Sequence, residues 1–240
     1  MYEKRFYRDY VKKQDLIPYT IIEDESDLQI YLKQDFSPKA REILLHYREE
    51  LKGYIQKHKE FYHSLVPIQV SDHAPLIVKR MAEAASKVGV GPMAAVAGAV
   101  SEFVGKELLK VTDEIMIENG GDIFIKTLKK RRILVYAGKS VLSNRVALEI
   151  SPEDTPMGIC TSAGTVGHSL SFGKADAVVV LSQDTLLADA AATAIGNIVC
   201  SPSDVQKGID FGKSITGVEG VLIIVDDTMG AWGKICLTEP

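Results

Sequence analysis

Apolar and polar positions first settle into a pattern at Tyr19-Thr20-Ile21-Ile22. With Leu28-Gln29-Ile30-Tyr31-Leu32, and an acidic stretch between, they predict two strands around a turn. Ser37-Pro38 then offers an N-cap and a first-turn proline to a long helix, in which Leu44, Tyr47, Leu51, Tyr54 and Ile55 recur at helical spacing. A second helix is predicted from near Asp72, with Ile77, Met81, Ala84 and Val88 on one stripe and Gly89 as its stop. Beyond Gly91-Pro92 a third is predicted over residues 93–109, rich in alanine and glycine. Gly98 in its interior costs about 1 kcal/mol relative to alanine, which demands a packing or binding reason.

Ile115 and Ile117, then Asn119-Gly120-Gly121-Asp122, then Ile123 and Ile125 read as strand, glycine turn, strand. Further strands are expected at residues 133–136, 146–150, 177–181 and 221–225, and helices at 184–199 and 203–215. The order lacks regular strand–helix alternation, so the class is α+β rather than Rossmann. No repeat, linker or low-complexity tract divides the chain, and residues 1–240 read as a single domain in which 1–65 form a peripheral hairpin-and-helix layer.

Composition narrows the setting. With 46% hydrophobic and 25% charged residues in 240, the chain can bury a sizeable core. A net charge of -4 without a basic block argues against a nucleic-acid partner. The N-terminal residues offer no apolar run or cleavage site, and the weakly polar stretch 88–100 is far below the roughly 20 residues a bilayer needs; a cytoplasmic protein with no membrane partner is expected. Cys160, Cys200 and Cys236 are odd in number and widely spaced, and the five histidines form no ligand pair, so neither a disulfide framework nor a zinc motif is supported.

Standard phosphate and hydrolase motifs fail. Gly208 to Ser214 is one residue short of a phosphate loop and falls in a predicted helix, and Cys160 stands where the first glycine of a nucleophile elbow around Ser162 belongs. The segment from Cys160 to Ser169 carries hydroxyls (Thr161, Ser162, Thr165, Ser169) and glycines (Gly164, Gly167) that suit an anion cradle, against the commoner reading of a plain polar turn. His168 at its end has the chemistry of a general base or of a structural histidine, and Cys160 that of a nucleophile or of an inert buried thiol. Asp189 and Thr193 lie four apart on one helical face among alanines. As hard oxygen ligands they suit Mg²⁺ or Ca²⁺; alternatively Asp189 serves a helix N-terminus and Thr193 bonds back to a carbonyl. Asn119-Gly120-Gly121-Asp122 lets backbone lie against a flat ligand, or is simply a type I′ turn.

Three blocks, Glu118-Asn119-Gly120-Gly121-Asp122, Thr161-Ser162-Ala163-Gly164 and Ala188-Asp189-Ala190-Ala191-Ala192-Thr193-Ala194, resemble in kind and order the motifs of the ApbE-like superfamily of flavin transferases. The stretches 89–99 and 165–177 are most similar to its short cytoplasmic branch from archaea and anaerobic bacteria. The resemblance implies an ApbE-like fold of mixed sheets with packed helices, binding a small phosphorylated ligand, FAD or FMN. It implies Mg²⁺ held by Asp189 and Thr193 with the Val96 backbone carbonyl, ligand contacts from Asn119, Gly120, Gly121, Asp122, Thr161, Ser162, Gly164 and Thr165, and His168 as the catalytic candidate. The implied chemistry is metal-assisted attack on the diphosphate by a hydroxyl of a protein acceptor, giving FMN transfer. Two positions depart from the transferase pattern: Ala97 replaces a lysine, and His168 to Gly173 lacks the block's aspartate and proline. These departures leave two further readings, a noncatalytic binding subunit and a sulfur-handling or assembly factor in the sulfide assimilation and homocysteine formation associated with that branch. Oligomeric state is not readable.

Overall fold

The computed structural model describes residues 15–164 and 173–240. β1 (Ile17–Glu23) and β2 (Ser26–Leu32) form the expected hairpin. α1 (Ser37–Lys57) and the short α2 (Lys59–His63) follow, then α3 (Leu76–Val88), a 3₁₀ turn (Pro92–Ala95) and α4 (Val96–Leu108). Five strands come next: β3 (Ile115–Asn119), β4 (Asp122–Lys126), β5 (Arg131–Leu134), β6 (Ala147–Ile150) and β7 (Met157–Ser162). After β8 (Ala177–Ser182) come α5 (Thr185–Ile198), α6 (Val205–Ser214), β9 (Val218–Val225), β10 (Thr228–Gly233) and β11 (Leu237–Thr238).

Among the described residues, eight strands make one antiparallel sheet in the order β1-β2-β3-β4-β7-β8-β9-β10, and β11-β6-β5 make a second, smaller one. Strand alternation divides the core. Val178, Val180, Val221 and Ile223 point to a layer containing α3, α5 and α6, whereas Val179, Leu181, Leu222 and Ile224 point to the small sheet with Leu148 and Ile150. Buried on both faces, β8 and β9 are apolar almost throughout. The β1–β2 hairpin forms one end of the large sheet, where Leu28, Ile30 and Leu32 pack with Leu44 of α1 and Val104 of α4. Helix α5 is buried nearly all round, as its alanine-rich sequence permits.

Several helix boundaries differ from the sequence expectation. Ser37 does not cap α1; its own N–H donates to Asp35 Oδ1 at 2.8 Å. Helix α3 begins at Leu76 rather than near Asp72, because Pro75 disfavours helical geometry in the residue before it. It ends as expected at Gly89, whose φ of 77° lies in the left-handed region. The helix expected over residues 93–109 is split: the 3₁₀ turn ends at Ala95, and α4 starts afresh at Val96. That break exposes a helix N-terminus in the interior of the protein. No single helix among the described residues is long and apolar enough to cross a membrane.

Candidate functional site

The N-terminal turn of α4 meets the first turns of α5. Asp189 lies on α5 four residues after Thr185, with 8% of its surface exposed. Its Oδ2 accepts the Gly98 N–H at 2.8 Å, so the carboxylate satisfies an amide that has no partner within its own helix. Gly98 meets the demand its helical position raised: a Cβ there would stand 2.6 Å from the Thr185 carbonyl oxygen and 2.8 Å from the Asp189 Cβ. Only glycine lets the two helices approach so closely.

The β3–β4 hairpin brings its tip to the same place. Gly120 and Gly121 have φ of 69° and 100°, which suits the two-residue turn between Asn119 and its partner Asp122. Asn119 Nδ2 donates to the Ala97 carbonyl at 3.2 Å, tying the tip to α4, and the Gly121 N–H donates to Glu118 Oε1 at 2.8 Å. Asp122 turns inward, where its Oδ1 accepts the Thr161 N–H at 3.3 Å at the end of β7. Thr161 and Ser162 therefore belong to a strand rather than a loop; Ser162 is buried and pairs with Val178.

Asp122 and Asp189 are close enough for their charges to interact. Burial, and then the charge of Asp189, hold the Asp122 carboxyl well above the usual carboxylate range. Burial likewise pushes Asp189 up to about 7, against the opposing pull of the Gly98 and Ala97 amides. Neither carboxylate carries an ion pair among the described residues. Cys160 sits beside them, buried, its thiol donating to the Thr185 carbonyl at 3.4 Å. Burial and the charges of Asp122 and Asp189 push that thiol well above its ordinary value. A protonated, buried sulfur is a poor nucleophile.

The structure thus gathers Asn119, Gly120, Gly121, Asp122, Thr161, Ser162, Val96 and Asp189 around one α4–α5 crossing. Thr193 lies one turn farther along α5, half-buried. Gly164 stands apart at a neck: its N–H donates to the Ala175 carbonyl at 2.8 Å, and a Cβ on it would stand 2.2 Å from the Gly173 carbonyl oxygen. Thr165 and His168 lie outside the described residues. Glu102 was not singled out from sequence. It is 1% exposed, and its Oε2 accepts the Thr185 N–H at 2.7 Å across the same crossing. Nothing in the local pattern of α4 signals a partner 83 residues away.

Comparison with known proteins places this architecture. The family model described as AbpE bacteria matches residues 8–230. A UPF0280 protein of Methanococcus aeolicus is 43% identical over 201 residues, covering 82% of this chain and 81% of that protein. The UPF0280 protein MJ1526 of Methanocaldococcus jannaschii is 41% identical over 217 residues, covering 87% and 88%. Among solved structures, the flavin transferase ApbE from Vibrio cholerae superposes with a TM-score of 0.63 at 15% identity, over 91% of this chain and 96% of that one. The apo form of the Pseudomonas stutzeri flavinyl transferase ApbE gives 0.57 at 13% identity, over 91% and 94%. At such identities the likeness to the transferases is one of fold. The chain belongs to the AbpE bacteria family, alongside the archaeal UPF0280 proteins, and shares its fold with the flavin transferases ApbE.

Proposed function

We propose that the chain binds a flavin nucleotide with Mg²⁺ between the β3–β4 hairpin tip, the end of β7 and the α4–α5 crossing. The observation that carries this reading is the Asp122–Asp189 pair: two buried carboxylates whose burial raises their proton affinity, that of Asp122 further through the charge of Asp189, and which have no ion pair among the described residues. Such a pair costs stability unless a proton or a cation offsets it. The names of the transferases that share the fold support flavin as the ligand.

The donors fit a hard dication in kind. No cluster of three or more His, Cys, Asp and Glu side chains able to hold a metal occurs among the described residues. Asp189, with Thr193 and the Val96 carbonyl, would instead supply part of a shell whose remaining positions fall to phosphate oxygens and water, an arrangement typical of Mg²⁺. When bound, the ion supplies charge neutralisation at the phosphoryl oxygens. Asn119, Gly120 and Gly121 would present backbone to the flat part of the ligand, and Thr161 and Ser162 would serve its phosphates; Gly164, at the neck, lies outside this wall. Ala97 brings no cation to that wall, so the phosphate charge rests on the metal. The chemistry such a site would support is attack on the FAD diphosphate by a hydroxyl of a partner protein: a phosphoester to the FMN moiety forms, the P–O–P bond breaks, and AMP leaves as the hydroxyl proton is released. A neutral Ala97 in place of a lysine favours binding over transfer.

Thermal melting with FAD, FMN, ADP or pyrophosphate, each with and without Mg²⁺, tests the reading. A flavin nucleotide with Mg²⁺ should raise the midpoint, and neither should do so alone. No shift with any of the four at saturating Mg²⁺ rejects the site. Native mass spectrometry of untreated protein should show the flavin nucleotide retained.

A further inference from the structure

We infer that Glu102 is a positioning residue of the Asp189 pocket: the two acids exchange caps across the α4–α5 crossing, and this exchange sets the helix register on which the ligand site depends. The inference rests on the proposed reading of that pocket, although its geometric half stands without any ligand.

The exchange is reciprocal in detail. Asp189 of α5 accepts the Gly98 N–H of α4 at 2.8 Å, and Glu102 of α4 accepts the Thr185 N–H of α5 at 2.7 Å. Each acid follows, by four residues on its own helix, the backbone amide that the other helix's acid caps. Each negative charge therefore lies against the positive end of the opposite helix. The remaining Glu102 oxygen, Oε1, is held by Lys106 Nζ at 2.5 Å. At the centre of the crossing the helices are in contact, the position of a Gly98 Cβ falling 2.6 Å from the Thr185 carbonyl oxygen. A shift of the α5 start is consequently transmitted to Asp189 one turn on, and from there to Val96, Ala97 and the Asn119 hairpin tip bonded to Ala97.

A buried carboxylate is a costly way to hold two helices together, and an apolar side chain of similar volume would pack at least as well. What the acceptor oxygen adds is directionality: within bonding range of one amide, it rejects any register in which that amide has moved. Glu102 is 1% exposed and its oxygens are taken by Lys106 and the Thr185 N–H, so its effect on binding reaches the site through Thr185 and Asp189.

Three variants separate positioning from bulk stability. Glu102→Gln keeps a side-chain oxygen for the Thr185 N–H; Glu102→Asp keeps the charge but falls one methylene short; Glu102→Ala removes both. In the full-length, ligand-free chain, hydrogen exchange at Gly98 and Ala97 should quicken in the Asp and Ala variants and return to the wild-type rate in Gln. With FAD at saturating Mg²⁺, the Asp and Ala variants should raise Kd by about tenfold or more, while Gln stays near wild type. Should Glu102→Ala fail to fold, the Asp and Gln pair carries the same contrast. Unchanged exchange at Gly98 in a folded Asp or Ala variant overturns the inference, as does wild-type affinity in either. If the wild type itself binds no FAD, the flavin reading fails and the exchange rates alone decide the role of Glu102.

Discussion

The Gly98 N–H reaches the Asp189 carboxylate at 2.8 Å only because Gly98 has no side chain to hold α4 away from α5. One glycine thus serves both as the amide that orders a buried acid and as the gap through which that acid is reached. The two roles fail together when the gap is filled.

Gly98→Ala should be destabilising although alanine favours helices. The gain in helix propensity is about 1 kcal/mol, whereas the new Cβ would meet backbone oxygen that cannot rotate aside, an overpacking that costs about 1–3 kcal/mol. A melting midpoint below wild type, together with faster exchange of the Gly98 amide, is the expected result. A midpoint at or above wild type contradicts the close crossing.

Asp189→Asn separates a cation ligand from a helix cap. Asparagine retains an oxygen for the Gly98 N–H and removes a charge that burial disfavours and that itself raises Asp122. Metal-free stability near neutral pH should hold or rise, while Mg²⁺-dependent FAD binding weakens by about 1 kcal/mol or more. Paired melts and titrations read both. Lower metal-free stability with unchanged binding leaves Asp189 as a cap alone.

The pH dependence follows from the same acid. Its ordinary value of 3.8 rises to about 7 in the folded protein. Between those values the folded chain keeps a proton that the unfolded chain has released, so this group's contribution to stability falls as pH rises, and it levels off above about 7. Glu114, paired with Arg131 at 2.7 Å and shifted downward, has the opposite sign: its contribution is present above its ordinary 4.5 and is lost in acid. The informative quantity is therefore the difference between wild type and Asp189→Asn. In metal-free buffer the variant should gain on wild type steadily from about pH 4 to pH 7. A constant difference across that window refutes the upward shift.

Cys160 should be chemically silent. Brief alkylation of the native protein, followed by intact-mass and peptide analysis, should modify the exposed Cys200 and Cys236 and spare Cys160 until the chain is unfolded. Rapid native labelling of Cys160, or a persulfide formed there from a sulfane sulfur donor, contradicts the buried, protonated thiol and favours a sulfur-handling role.

Where local periodicity governs, the sequence was readable: Gly89 ended α3, the paired glycines closed the Asn119–Asp122 turn, and the stripe of α1 faced inward. What escaped was decided over distance. Thr161 and Ser162 resembled a loop because their hydroxyls dominate the local pattern, yet neighbouring strands hold them in a ladder. The break at Val96 was hidden because no proline or glycine stands between Met93 and Ala97 to mark it, and the 3₁₀ turn suits these residues as well as one longer helix does. At the site, the acid on the alanine-rich helix could be singled out from spacing, but not the amide it would find. Glu102 looked like any charged residue on a helix, because only the folded chain sets it against Thr185.

The exchanged caps also govern the order in which the protein can be made. Gly98 and Asp189 are 91 residues apart, and Glu102 and Thr185 are 83 apart. A nascent chain that has emerged only through α4 carries a helix whose first turn has no acceptor and a glutamate with no amide to receive. Neither defect is repaired until α5 leaves the ribosome, so the N-terminal half gains little by folding early and must wait for its C-terminal counterpart. Truncations ending before Thr185 should accordingly behave as unfolded chains rather than as a smaller, stable core.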